Sequence, residues 1–174
     1  MKKVLTIVAL AFVAMNMSAQ NIYVGGGLKF ESTSDESLFA IEPEVGYKLN
    51  EKFSVGGVLG FGTTGSGDSK YTEFAITPYV RQNILTIGGN VGVFVDYQLG
   101  YKSAGVKDAK TNTLQLGAAP GLAYNLNSKL TVVTHLGFVG YQSSKLDVDG
   151  AKANNKFIIS ALSKNISLSV YYNF

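Results

Sequence analysis

Apolar and polar positions alternate along most of this chain. The clearest stretch is at its end, where Ile166, Leu168, Val170, Tyr172 and Phe174 are apolar or aromatic. Ser167, Ser169, Tyr171 and Asn173, between them, can all hydrogen-bond. A period of two is that of a β-strand with one greasy and one polar face. The same rhythm predicts strands over Ile22 to Phe30, Leu38 to Leu49, Phe53 to Gly62, Tyr71 to Gln82, Leu85 to Tyr101, Thr113 to Tyr124, Leu130 to Tyr141 and Phe157 to Phe174. Pro43 falls on an apolar row and removes one ladder donor, so local irregularity is expected there. In the last segment the alternation changes parity between Ala161 and Asn165, which a β-bulge or a late-starting strand would explain.

Between these strands the connections alternate long, short, long, short, long, short, long. Glu31 to Ser37, Thr63 to Lys70, Lys102 to Lys110 and Ser143 to Lys156 are the long polar segments. Asn50 to Lys52, a turn near Asn83, and Asn125 to Lys129 are the short ones. An even number of strands with long connections at one end and short turns at the other is the plan of an up-and-down barrel that crosses a membrane. The ~9–11 residues that each crossing needs fit within these segments.

Charge strengthens that reading. The strand charges are Lys29, Glu42, Glu44, Lys48, Glu73, Arg81, Asp96 and Lys164, and all but Lys164 lie opposite the apolar rows. An outward Lys or Arg at the bilayer midplane costs ~2–4 kcal/mol, so such exclusion is what lipid contact demands. Lys164 has a stem long enough to reach the interface. A soluble closed barrel would turn its apolar rows inward and would need many more outward charges. Tyr47, Phe53, Tyr124, Tyr172 and Phe174 fall near the short-turn ends, and Phe30, Phe39, Phe61, Phe74 and Tyr101 near the loop ends, as two aromatic girdles would.

Met1 to Gln20 reads as a secretory leader: Lys2 and Lys3, then an apolar run from Val4 to Ala14, then the small residues Ser18 and Ala19. Cleavage is expected after Ala19, with Gln20 the less favoured site, leaving residues 20–174 as one exported domain. Removing the leader takes two of 15 basic residues, so 15 − 2 = 13 face 12 acidic ones. Near-neutrality argues against a nucleic-acid partner. With no cysteine, stability must come from hydrogen bonding and packing, not disulfides.

Thr77-Pro78-Tyr79-Val80-Arg81, Phe94-Val95-Asp96-Tyr97, Pro120-Gly121-Leu122-Ala123-Tyr124 and Val170-Tyr171-Tyr172-Asn173-Phe174 together resemble the small eight-stranded bacterial outer-membrane β-barrel family, the OmpA-transmembrane-domain and OmpX type often labelled porin-like. The resemblance spans the mature chain. It implies an all-β, eight-stranded antiparallel up-and-down transmembrane β-barrel in the cell outer membrane. It also implies that the barrel-assembly machinery reads Ile166, Leu168, Val170, Tyr172 and Phe174 as an insertion signal. A fold of this kind says nothing by itself about activity.

Chemistry is thinly represented. Gly60-Phe61-Gly62-Thr63-Thr64-Gly65 matches a dinucleotide fingerprint but opens no helix, so a flexible rim turn is the better reading. His135 is the only histidine, and Gly137 stands where some outer-membrane lipid hydrolases of similar architecture carry the serine of His-x-Ser. An inward histidine hydrogen-bonded in the lumen is the simpler account. Glu42 and Glu44 share a face, but Arg81, Lys48 and Lys29 offer counter-ions, so an ion-pair network outweighs acid–base catalysis. No cofactor and no metal are expected. The expected interior is a polar network of Lys29, Glu42, Glu44, Lys48, Glu73, Tyr79, Arg81, Asp96, Gln98 and His135, with Arg81 at its centre. Gly46, Gly56, Gly60, Ala75, Gly117 and Gly121 would make room for it. The role that follows is structural or mediated by surface loops in a monomeric, non-catalytic protein. A narrow pore or solute carrier is the alternative, and a lipid-modifying enzyme the second.

Overall fold

The structure, a computed structural model, describes residues 21–32, 37–64, 71–106, 109–148, 150–161 and 167–174. The expected leader, Met1 to Ala19, and residues around the expected parity change, Lys164 and Ile166 among them, lie outside these. Among the described residues there are ten strands: β1 (Ile22–Ser32), β2 (Ser37–Lys48), β3 (Phe53–Thr64), β4 (Tyr71–Ile87), β5 (Val91–Val106), β6 (Ala109–Asn125), β7 (Leu130–His135), β8 (Gly137–Leu146), β9 (Asn154–Ala161) and β10 (Ser167–Asn173). Each of β1 to β5 pairs antiparallel with the next, up to β6. β6 then pairs with β7 near the short turns and with β8 near the loops, and β10 pairs with β7 on one side and β1 on the other. β7 with β8, and β9 with β10, each fill one place in the wall, so eight antiparallel strands close into a barrel.

The outward rows are apolar and exposed. Leu116 is 62% accessible and Ile159 74%, whereas inward Phe94 is 1% accessible. An apolar exterior around a filled polar interior is stable only in an apolar surrounding, so the physics of burial places a bilayer around this wall. Among the girdle residues, Phe39, Phe53, Phe61, Phe74, Tyr101, Tyr124, Tyr172 and Phe174 are all exposed.

The pairing runs Ile41 with Phe61 and then Glu44 with Val58, skipping Pro43, which supplies no amide donor. The expected turn near Asn83 is not there. β4 continues to Ile87, β5 begins at Val91 instead of Leu85, and the turn is Gly88-Gly89-Asn90. Gly88 and Gly89 take φ of 59° and 79°, the left-handed values that glycine adopts without Cβ strain. Asn83 instead marks a register shift against β5, and its amide groups bond the carbonyls of Lys52 and Glu51 in the neighbouring turn. The shift resets parity so that Leu85 and Ile87 face outward with Val93 and Val91.

The long connections are shorter than the polar composition suggested. β5 runs to Val106 and β6 starts at Ala109, taking in most of the expected loop from Lys102 to Lys110. Likewise, β8 reaches Leu146 and β9 starts at Asn154, inside the expected loop from Ser143 to Lys156. Threonines, serines and asparagines pair as well as apolar residues where a sheet stands clear of lipid.

The expected strand from Leu130 to Tyr141 is broken at Leu136, whose amide donates to Pro120. Gly137 follows with φ of 155°. The break lets His135 and Phe138, three apart, both point inward, which unbroken alternation forbids.

Candidate functional site

The interior near the short-turn end is filled by one cluster. Arg81 on β4 sits opposite Asp96 on β5 in the ladder. Its Nε lies 2.7 Å from Asp96 Oδ1 and its Nη2 2.8 Å from Oδ2, a two-point bond suited to a planar guanidinium. The same Nη2 reaches Glu44 Oε1 at 3.7 Å and donates to the Tyr171 hydroxyl at 3.3 Å. Arg81 Cζ lies 4.1 Å from the Phe94 ring centre, and the Tyr79 and Tyr171 rings are at 5.1 and 5.5 Å. Aromatic faces of this kind stabilise a desolvated cation.

Phenols complete the carboxylates. Tyr171 donates to Glu44 Oε2 at 2.7 Å and Tyr79 donates to Oε1. Because Tyr79 has one proton and gives it to Glu44, the Tyr23 hydroxyl, 2.7 Å away, must donate to Tyr79. His135 Nε2 lies 2.8 Å from Asp96 Oδ2 and therefore carries the proton of that bond when Asp96 is ionised. Among the described residues every buried side-chain nitrogen and oxygen has a partner. A fully satisfied buried network is rigid, while one missing member would strand the others.

Glycines let the rings lie over the inner wall of the barrel. A Cβ at Gly46 would strike the Tyr23 ring, one at Gly56 the Tyr79 hydroxyl, and one at Gly121 the Phe94 ring. Gly25 relates to Tyr171 in the same way. Each aromatic of the cluster is thus seated over the glycine paired with it on the adjacent strand. Of the other small positions expected to make room, Gly117 lies under the Phe138 ring, and Gly60 faces Ala75.

The expected ten-residue network divides into separate groups. Glu44, Tyr79, Arg81, Asp96 and His135 come together in the plug. Lys48 does not join them, because its Nζ donates to Asn173 at 2.9 Å on the short-turn rim. Glu73 pairs with Lys102 at 3.1 Å on the loop side. Glu42 and Gln98 line a cavity above the plug. Lys29 pairs with Ala40 in the ladder, and its side chain lies outside the described part. Tyr23, Phe94 and Tyr171 are essential members that the charge-centred reading omitted. Their parity gave them away, since all three occupy polar-face positions beside small or hydrogen-bonding residues.

No metal-binding group of three or more His, Cys, Asp or Glu occurs among the described residues. Gly60-Phe61-Gly62 lies within β3, paired with β4 on one side, and opens no helix. At the chain end, Leu168, Val170, Tyr172 and Phe174 are exposed outward, and the Phe174 amide donates to the Ile22 carbonyl.

The chain shares its fold with solved barrels. Neisserial surface protein A matches at 16% identity over 90% of this chain and 98% of its own, with a TM-score of 0.54. The outer membrane protein OprG of Pseudomonas aeruginosa matches at 12% identity over 88% and 94%, with a TM-score of 0.55. A major outer membrane protein of Thermus thermophilus matches at 15% over 88% and 98%, with a TM-score of 0.52. No curated protein sequence matches significantly. The model of the outer membrane protein beta-barrel domain matches residues 4–174, and with the apolar exterior and closed eight-stranded wall in view, the chain belongs to that outer-membrane family.

Proposed function

We propose that this outer-membrane barrel is plugged and non-catalytic, and that it acts as a structural element whose loop end meets the outside. The observation that carries the reading is the Arg81–Asp96–Glu44 core with its tyrosine collar, which spans the lumen from β1 through β10. Eight strands leave an interior that side chains can fill, or that holds one small ligand, but not a wide aqueous channel. A water-filled path through this layer would require separating a desolvated ion pair, at a cost of several kcal/mol. The pore alternative is therefore disfavoured.

The plug also bears on catalysis. His135 is committed to Asp96, and the residue two positions on is Gly137, which has no nucleophile to offer. In this reading the leader directs export, the long connections face outward, the short turns face the periplasm and the barrel is a monomer. The assembly machinery engages the last strand during insertion. Planar-bilayer recording of the purified protein tests the proposal: no steady current is expected, and a stable open channel would put the pore reading first.

A further inference from the structure

Between the plug and the loops lies a cavity of about 480 Å³, within the range of small-molecule sites. We infer that it is a binding site, open to the outside and closed below, for a neutral polyhydroxylated solute the size of one or two sugar rings.

The lining argues for that chemistry. Its charged groups are committed: Glu73 bonds Lys102 at 3.1 Å, His135 is held by Asp96 of the plug beneath, and Glu42 is engaged. A charged solute would have to displace one of these partners. Amides and hydroxyls remain. On one wall the Gln115 amide donates to Gln142 at 2.9 Å and Gln142 donates to Ser144 at 2.9 Å, fixing both amides in place. Beside them on the adjoining strands β5 and β4, the side chains of Gln98 and Thr77 line the cavity with no hydrogen bond to a described residue, so their polar groups are open to a solute. Phe138, Val58 and Ile158 add apolar surface to the same space. Directed amide groups beside an aromatic face suit a molecule with hydroxyls around its edge and C–H groups on its faces.

Side chains placed in this way gain only when water is displaced by groups that reproduce its hydrogen bonds. A polyol does so, and a hydrocarbon does not. The break at Gly137 is what allows the site, because it turns Phe138 inward, over Gly117 and Gly140, into the cavity that His135 also lines.

The inference rests on the proposed function in two respects, the plug as the cavity floor and the outward-facing loops as its mouth. The test is titration of the full chain in lipid nanodiscs with glucose and maltose, followed by NMR of the glutamine side-chain amides. Putrescine and acetate serve as charged probes. Saturable shifts with a sugar, and contacts from its C–H protons to the Phe138 ring, are expected. Gln98→Ala should weaken binding about tenfold or more, as loss of a buried hydrogen bond would. Thr77→Trp should fill the space and abolish binding, with heat-modifiability reporting that each variant folds. The Phe138 contact needs no variant, so the site stays testable if both misfold. Absence of saturation with both sugars at about 10 mM, well beyond a millimolar constant, would overturn the inference. Response only to a charged probe, or sugar binding untouched by a folded Thr77→Trp, would do the same. A protein that conducts ions yet binds glucose against Phe138 would remove the plug and leave the site.

Discussion

Tyr171 and Glu44 stand on strands that do not touch, yet the phenol donates to the carboxylate at 2.7 Å over the inner face of the strand between them. Tyr171 is on β10 and Glu44 on β2, with β1 between them. The bond is possible because β1 carries Gly25 under the Tyr171 ring, where any side chain would collide. Small residues on one strand thus permit a bond between its two neighbours.

Arg81→Ala should be the most damaging substitution in the interior. It strands Asp96 and Glu44, whose side chains are 2% and 4% accessible. Removing one partner of a buried pair costs about 3–5 kcal/mol. The heat-modified band on gel electrophoresis should appear at lower temperature, and small conductances should appear in planar bilayers. Arg81→Lys should recover part of the loss only, because an ammonium cannot reproduce the two-point bond.

Gly46→Val tests the seating of the rings. Its Cβ would enter the space of the Tyr23 ring, whose hydroxyl bonds Tyr79. Overpacking typically costs about 1–3 kcal/mol. Gly57→Ala is the control, since its nearest atoms to an added Cβ are 4.0 Å away. Equal thermal stability of the two variants would refute the seating argument.

Protease added to sealed cells should cut between β8 and β9, where Lys152 is exposed, and spare Lys52 and Lys129 in the short turns. Mass spectrometry of released peptides gives the answer. Cuts at Lys52 or Lys129 would invert the proposed orientation.

Phe174→Ala should reduce the amount of inserted barrel while export continues. Phe174 is exposed beside Tyr172, with ring centres 5.0 Å apart, at the short-turn rim where aromatic rings favour the interface. Membrane fractionation should find the variant soluble or degraded outside the inner membrane. Wild-type barrel levels would count against a role in insertion.

The wall was legible in the sequence because lipid imposes one rule on every outward residue. Parity put Arg81 and Asp96 on inward faces, but only the register of β4 against β5 sets them opposite one another. Asn83 misled because asparagine suits a turn, while the stronger signal, Gly88-Gly89-Asn90, stood inside a run that otherwise alternated. His135 and Phe138 could not both be placed inward without knowing that Gly137 breaks the strand. Charge drew attention to Lys48 and Glu73, but charge alone does not fix height along a barrel. Lys48 ended at the rim and Glu73 beside Lys102 because each strand is offset from its neighbour. Tyr23 and Tyr171, uncharged, proved as central as the ions.

A closed ladder is a hoop, and a hoop can flatten into an oval by small changes in strand angle without breaking a ladder bond. Tyr23 to Tyr79, Tyr171 to Glu44 and Asp96 to His135 are chords across that hoop. They fix its cross-section at the short-turn end, as spokes true a wheel. The loop end has fewer such chords among the described residues, so changes in bilayer thickness or lateral pressure should deform it first, leaving the spoked end round.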